Sequence, residues 1–428
     1  MPKSVKFIHA ADLHLGAPFR GLAQVSAQWA GRLSTAIREA YTRIVEEAIS
    51  RKVHFVVIAG DIFDTSRASL GDYLYFFDGL RKLQRAGIEV YMVCGNHDPY
   101  TSWKESAFLL PENAHMFPAS KPGFKLFEHE GEPLCIIGGT SYYNQTWPQG
   151  VSIAQGISRE EGVQALFSEC PQAKSAPFCV GVIHTGLHLD PIKAPETPSS
   201  LLQKNVDYWA CGHIHKRYVH RDAAGCARIV FPGCIQGRDI KEVGQRGVYC
   251  VEISEGSHVE LEFIPTASVV WQQLSVDISD CAGTSDITDL ITRQLFIKNG
   301  QAHCEEMVSR VTLVGKTLLH NALSRPGAME DLRARLNNSY PQFFCDTLIN
   351  ETREVRDKQK LAAEGLFPSV LLQISNHQNA NVSATKDFLE QEFMQRNIAL
   401  PKNIVENVDS LQEEAEELAL DLLQQGVK

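Results

Sequence analysis

Five short apolar runs in this chain end alike: a strand-forming stretch, then glycine or a small residue, then Asp, Asn or His. "KFIHAADLH" ends at Asp12 and His14, "HFVVIAGDIFD" at Asp61 and Asp64, and "IEVYMVCGNHD" at Asn96 and His97. "FCVGVIHTG" ends at His184, and "DYWACGHIH" at His213 and His215. β-branched and aromatic residues fit a pleated surface, whereas Gly, Asn and Asp stop a strand and make a turn. Runs apolar at every position need cover on both faces, and helical segments between them supply it, so the pattern predicts an α/β fold. Open α/β folds bind ligands at the carboxyl ends of their strands, where these polar residues fall. Each motif also has a plain structural reading: Asp12 as a helix cap, Asp61 as a turn residue, His184 as a satisfied core histidine. Five such endings in one chain favour a shared site.

The intervening segments fit this frame. "RLSTAIREAYTRIVEEAISRKV" and "YLYFFDGLRKLQRAG" carry apolar residues at helical spacing, and "PLCIIGGTSY" reads as a further strand. Residues 225–265 read as hairpins. After "FIPTASVVW" the composition shifts, and ligand-type clusters disappear. Residues 1–267 are therefore expected to form the catalytic domain, 268–354 a small α+β capping domain, and 355–428 a helical C-terminal region. In that last region Leu411, Ala415, Leu418 and Leu422 share one helical stripe, which suits either packing on its own domain or a partner.

Hydrophobic content of 44% and charged content of 21% are those of a globular protein. No apolar stretch approaches the roughly 20 residues needed to span a bilayer. The first residues read directly as a strand and turn, not as a signal peptide, and the 11 cysteines are scattered without CxxC pairs. Both features predict a cytoplasmic protein without a membrane partner. The net charge of −10 does not advertise a nucleic-acid binder, although residues 351–428 hold much of the excess, with 8 Lys+Arg against 14 Asp+Glu.

The mixture of side chains points to metal chemistry. Two divalent ions about 3.5–4 Å apart need a carboxylate between them, and together they activate water and clamp a phosphoryl group. Imidazole, carboxylate and amide ligands suit Mn, Fe or Zn better than Ca or Mg. No thiolate stands among the candidates, which disfavours a structural zinc site.

The motifs resemble the calcineurin-like metallophosphoesterase superfamily, whose pattern is D-x-H, G-D, G-N-H-D/E, H and G-H-x-H. Within it, "HAADLHLG", "GDIFDTS", "GNHDPY", "CGHIH" and "FPGCIQGRDIKEVGQRGVYCVEI" are similar to the bacterial SbcD and YhaO DNA-repair exonucleases. The resemblance implies a four-layer α/β/β/α sandwich carrying two divalent ions, Mn2+ first and Fe or Zn as alternatives. It also implies roles: Asp12, His14 and His215 at one ion, Asn96, His184 and His213 at the other, and Asp61 between them. His97 would face the scissile phosphate. The archaeal and eukaryotic nucleases carry a second catalytic His three residues beyond the bridging Asp; here that residue is Asp64, which would orient His97 or cap the following turn. His9, His54 and His188 fit no element of the pattern and are expected to serve packing. Arg20, Arg67 and Arg238 are expected on solvated surface.

The implied activity is a metal-dependent DNA exonuclease in DNA repair or end processing. Its partners would be DNA, a coiled-coil ATPase of the SbcC or YhaN kind docked on the C-terminal helices, and a second copy in a homodimer. The alternative is a phosphodiesterase for a small nucleotide or other small phosphoester, and the acidic net charge speaks for it. A non-catalytic scaffold that keeps the metals only structurally is the third reading, and the complete ligand set with His97 weighs against it.

Overall fold

The computed structural model describes residues 3–17, 26–65, 68–104, 109–302, 304–356, 363, 366–379, 382–408, 411, 414–416 and 418–420. Contacts divide the chain into two compact units, Met1–Val314 with Ala322–Glu351, and Gly315–Asn321 with Thr352–Lys428. Arg20, Arg67 and Leu422 lie outside the described residues.

The first unit is built on two six-stranded sheets. One contains β1 (Ser4–Ala10), β2 (Phe55–Ala59), β3 (Glu89–Val93) and β4 (Ala114–Met116). The other contains β5 (Gly123–His129), β6 (Glu132–Thr140), β7 (Phe178–His184), β8 (Tyr208–Gly212), β9 (Tyr218–Arg221) and β10 (Ala227–Phe231). β11 (Gly247–Ser254) and β12 (His258–Pro265) return to the first sheet, giving the orders β12-β11-β1-β2-β3-β4 and β5-β6-β7-β8-β10-β9. β1 to β4 run parallel, as do β6, β7, β8 and β10; β11 and β12 extend one edge of the first sheet antiparallel, and β5 and β9 flank the second sheet antiparallel.

Strand alternation sorts the core into layers. In β2, Phe55, Val57 and Ala59 face the other sheet and pack with Val180, Val182, Tyr208 and Ala210. Val56 and Ile58 face the opposite way, against Ile37, Ile44, Phe76 and Leu80 of the helices Ala27–Ser50 and Leu70–Arg85. On the far face of the second sheet, Ile136 and Cys179 pack with Leu166 and Ala173, and Trp209 packs with Leu201. The result is the expected α/β/β/α sandwich. Helix Leu70–Arg85 starts in a capping box between Ser69 and Asp72, and Arg38 clamps the same Asp72 carboxylate with Nε and NH2 at 3.0 and 2.8 Å.

The hairpins expected in residues 225–265 are present but fall in two different sheets: β11 and β12 pair antiparallel with each other, and β10 pairs antiparallel with β9. β10 joins the other sheet, between β8 and β9, so the connection 232–246 crosses from one sheet to the other. Its path carries Arg238 and Glu242 past the strand ends.

The same unit holds a three-stranded parallel sheet, Val269–Asp277, Glu306–Val314 and Phe343–Asn350, with helices Thr284–Ala302 and Ala328–Ser339 in the crossovers. Val269, Trp271, Val308 and Phe344 pack on Trp29, Leu33 and Ala36 of the long first helix. In the second unit, Lys316–Thr317 pairs with Arg353–Glu354, followed by helices Leu366–Asn379, Val382–Gln395 and Lys402–Glu406. No helix among the described residues is long and apolar enough to cross a membrane.

Candidate metal centre

The ends of β1 and β2 continue side by side beyond the sheet. Asp12 N donates to Gly60 O at 3.1 Å, His14 N to Asp61 O at 2.9 Å, and Leu15 N to Ile62 O at 2.9 Å. Asp12, His14, Asp61 and His213 have φ of 52°, 48°, 51° and 100°. Positive φ costs a residue with a Cβ on the order of 1–3 kcal/mol and persists only where the surroundings impose it. Four such residues meet at one edge of the two sheets.

Among the described residues three groups of potential ligand atoms have all atoms within 4.8 Å of one another, and two of them form the centre: Asp12, His14 and His215, and Asp61, His184 and His213. The third, His215, Cys234 and Glu242, shares His215 and brings in a thiol that the five motifs did not offer. In the first, His14 Nε2 and His215 Nε2 face each other at 3.1 Å. In the second, Asn96 Oδ1 lies 3.2 Å from both His184 Nε2 and His213 Nδ1. Asp61 stands between the groups, with Oδ2 3.7 Å from His14 Nε2 and 3.4 Å from His184 Nε2. Imidazole nitrogens converging on one another and on an amide oxygen, with two carboxylates among them, are a donor set that fits two divalent ions. Every expected ligand is therefore brought together.

The electrostatics agree. Burial raises the Asp12 carboxyl, with the neighbouring histidines opposing. Burial also acts to raise Asp61, but His184, His14 and His97 outweigh it and hold it well below the usual carboxylate range. Burial would lower His184, yet Asp61 and Asp12 pull it up to about 9. Burial, with help from Arg238, pushes His14 well down. Metal binding to such a site displaces protons, because the ligands must offer lone pairs.

Outer contacts orient the rings. His184 Nδ1 donates to Ala59 O at 2.9 Å, which turns Nε2 toward Asn96 and Asp61. His213 Nε2 lies 3.0 Å from Asp190 Oδ2, and His215 Nδ1 lies 2.6 Å from Glu242 Oε1. Burial opposes ionisation of Glu242, but His215 and Arg238 bring its carboxyl down to about 2. Asp190 belongs to no motif in the sequence, and Glu242 lies within the run "FPGCIQGRDIKEVGQRGVYCVEI" without a role assigned to it there. Arg238 differs from its expected place on solvated surface: its side chain is 18% exposed, with NH2 3.3 Å from His215 Nδ1 and 3.6 Å from Glu242 Oε1.

The "GNHD" turn is pegged from below. Asp98, fully buried, accepts from Ile62 N and Gly95 N, both at 2.9 Å. His97 N donates to Asp61 Oδ1 at 2.8 Å, while the His97 side chain is exposed. A Cβ on Gly95 would come within 2.1 Å of that same Asp61 oxygen, so the close approach of the two turns requires glycine. The His97 ring centroid is 5.0 Å from that of His14. Asp64 is half-buried and lies in neither ligand group; its N donates to Leu15 O at 3.1 Å. The adjacent Thr65 donates its hydroxyl to His97 O at 2.8 Å. His9 is buried against the Tyr208 hydroxyl at 2.8 Å, His54 Nδ1 accepts from Lys6 N, and the His188 ring lies 6.0 Å from that of Tyr218.

Comparison with known proteins agrees with this geometry. The calcineurin-like phosphoesterase family matches residues 5–217, and the middle domain of metallophosphoesterase YhaO matches residues 271–353. The metallophosphoesterase YhaO of Bacillus subtilis (strain 168) is 31% identical over 318 residues, covering 73% of each chain. The DNA double-strand break repair protein Mre11 of Methanocaldococcus jannaschii is 24% identical over 300 residues, covering 67% of this chain and 73% of that one. A dimetal phosphatase from Danio rerio superposes with TM-score 0.36 and 13% identity, over 61% of this chain and 99% of the other. With the motif order, the two-sheet sandwich and the paired ligand groups, the family match and the likeness to the Bacillus subtilis protein establish that the chain belongs to the calcineurin-like metallophosphoesterases.

Proposed function

We propose that the protein is a Mn2+-dependent DNA exonuclease acting in DNA repair or end processing. The observation that carries this reading is the pair of ligand groups with Asp61 standing between them and His97 exposed beside them. The likeness to relatives named for DNA double-strand break repair supports the choice of DNA. In this reading Asp12, His14 and His215 would hold one ion, Asn96, His184 and His213 would hold the other, and Asp61 would serve both. When bound, such an ion pair supplies Lewis-acid neutralisation of the phosphoryl oxygens and makes water acidic enough to attack. His97 delivers a proton to the leaving oxygen. Asp64 positions His97 through the Asp64–Thr65 turn, whose threonine binds the His97 carbonyl. Asp190 and Glu242 keep His213 and His215 aimed inward. The eleven free thiols suit a reducing cytoplasm.

The deciding experiment compares the purified protein, loaded with Mn2+, Fe2+ or Zn2+, on an end-labelled DNA duplex and on a small phosphodiester. Stepwise loss of nucleotides from the duplex, fastest with Mn2+, is the expected result. Turnover of the small ester alone would favour a nucleotide phosphodiesterase, the reading to which the net charge of −10 is better suited.

The domain assignment belongs to the same proposal. Residues 268–354 cap the site and steer DNA, and residues 355–428 dock a coiled-coil ATPase of the SbcC or YhaN kind. Leu411, Ala415 and Leu418 are exposed, as an unpartnered stripe for a helix-in-groove contact would be. A chain ending at Arg356 should stay folded and metal-loaded, hydrolyse a small phosphodiester, and lose association with the ATPase. Light scattering on the full and shortened chains reads the expected homodimer. Aggregation or metal loss on truncation would assign the C-terminal helices to the fold of the catalytic part.

A further inference from the structure

A recess of about 560 Å3, within the range of small-molecule sites, lies one strand away from the candidate metal centre: Thr140 in its wall pairs in register with Ile183, the neighbour of His184. Its wall includes Lys121, Thr140, Tyr143, Asn144, Trp147 and Gln155, and among the described residues no carboxylate lines it. Thr140 is only 5% exposed, and its hydroxyl has no hydrogen-bond partner. A buried hydroxyl without a partner is costly unless a ligand satisfies it. The Trp147 indole N–H donates to Val151 O at 2.7 Å, which fixes the ring.

The recess is tied to the metal centre by one layer of residues. The Tyr142 ring centroid lies 5.2 Å from that of Trp147 and 5.6 Å from that of His184. Tyr100 and Thr101, just beyond the "GNHD" turn, donate their amides to Tyr142 O and Tyr143 O at 2.8 and 3.3 Å. The segment that carries Asn96 and His97 therefore also braces the recess.

We propose that this recess binds the nucleobase of a nucleotide whose phosphate lies at the metal centre. A base is planar, uncharged and rich in donors and acceptors. Those properties answer a fixed indole, a tyrosine, two side-chain amides and one unsatisfied hydroxyl. Aromatic side chains stack on any base, and edge contacts add selectivity. The proposal rests on the reading of the protein as a hydrolase of nucleotide phosphodiesters.

Calorimetry of dAMP and of deoxyribose 5-phosphate with the Mn2+-loaded full chain tests it. The expected result is binding of dAMP tighter by on the order of tenfold, the weight of one stacked base. Trp147→Ala should remove most of that preference. Thr140→Val should reduce it several-fold while keeping the side-chain shape and deleting a buried polar group, so this variant folds even where Trp147→Ala does not. Elemental analysis of each variant reports whether the metal centre is intact. Equal binding of the two ligands, or unchanged preference in Thr140→Val, overturns the recess assignment whether or not DNA is cut. Selective dAMP binding by a protein that leaves DNA uncut upholds the recess and overturns the exonuclease reading instead.

Discussion

Asp61→Asn is expected to abolish two-metal occupancy and hydrolysis together. The substitution is nearly isosteric, and asparagine is among the residues that best tolerate the positive φ of 51° at this position. The amide oxygen can still accept from His97 N, now 2.8 Å from Oδ1, so the turn should hold. The other atom becomes an NH2 donor, placed 3.4 Å from His184 Nε2 and 3.7 Å from His14 Nε2. In the proposed reading a donor then stands where both ions would need an acceptor, and the one charge they would share is gone. The loss of activity should exceed the roughly 10–100-fold that an outer partner of a ligand commands. Elemental analysis should find fewer than two ions per folded chain, with folding checked by thermal melting. Two tightly held ions in this variant would sink the bridging assignment.

The residues of the candidate site were legible because chemistry and strand endings coincide in five short motifs. What those motifs could not express is that the ligands come from two sheets. Asp12, His14, Asp61, Asn96 and His97 follow strands of the first sheet, whereas His184 ends a strand of the second and His213 and His215 follow another. Every one of these strands is apolar on both faces, so their pattern fits one helix-covered sheet as well as two stacked ones. The outer partners were illegible for another reason. Asp190 and Glu242 sit on irregular loops, and only the crossing of chain 232–246 between the sheets brings Glu242 to His215. The same crossing takes Arg238 out of solvent. In the C-terminal region helical periodicity identified which residues share a face, but not which face is covered. Leu411, Ala415 and Leu418 are exposed, whereas Glu416 and Leu420 are buried, with Glu416 against the Ser375 hydroxyl.

His97→Ala should separate catalysis from metal retention. The His97 side chain is exposed and stands outside both groups of converging ligand atoms. Its backbone makes the contacts that shape the turn: N donates to Asp61 Oδ1, and O accepts from Thr65. Alanine keeps both, so the variant should retain two ions and melt near the wild-type temperature. If the ring protonates the leaving oxygen, its removal costs about 10²–10⁴-fold in rate on DNA, where an alkoxide must depart. A phosphodiester with a nitrophenolate leaving group needs no such proton, and its turnover should fall far less. That difference distinguishes proton donation from charge stabilisation, because a ring that merely neutralises the phosphoryl group would slow both substrates alike. Cleavage of DNA within twofold of wild type would return "GNHD" to a tight turn that supplies one ligand, Asn96, and the proton would have to come from elsewhere.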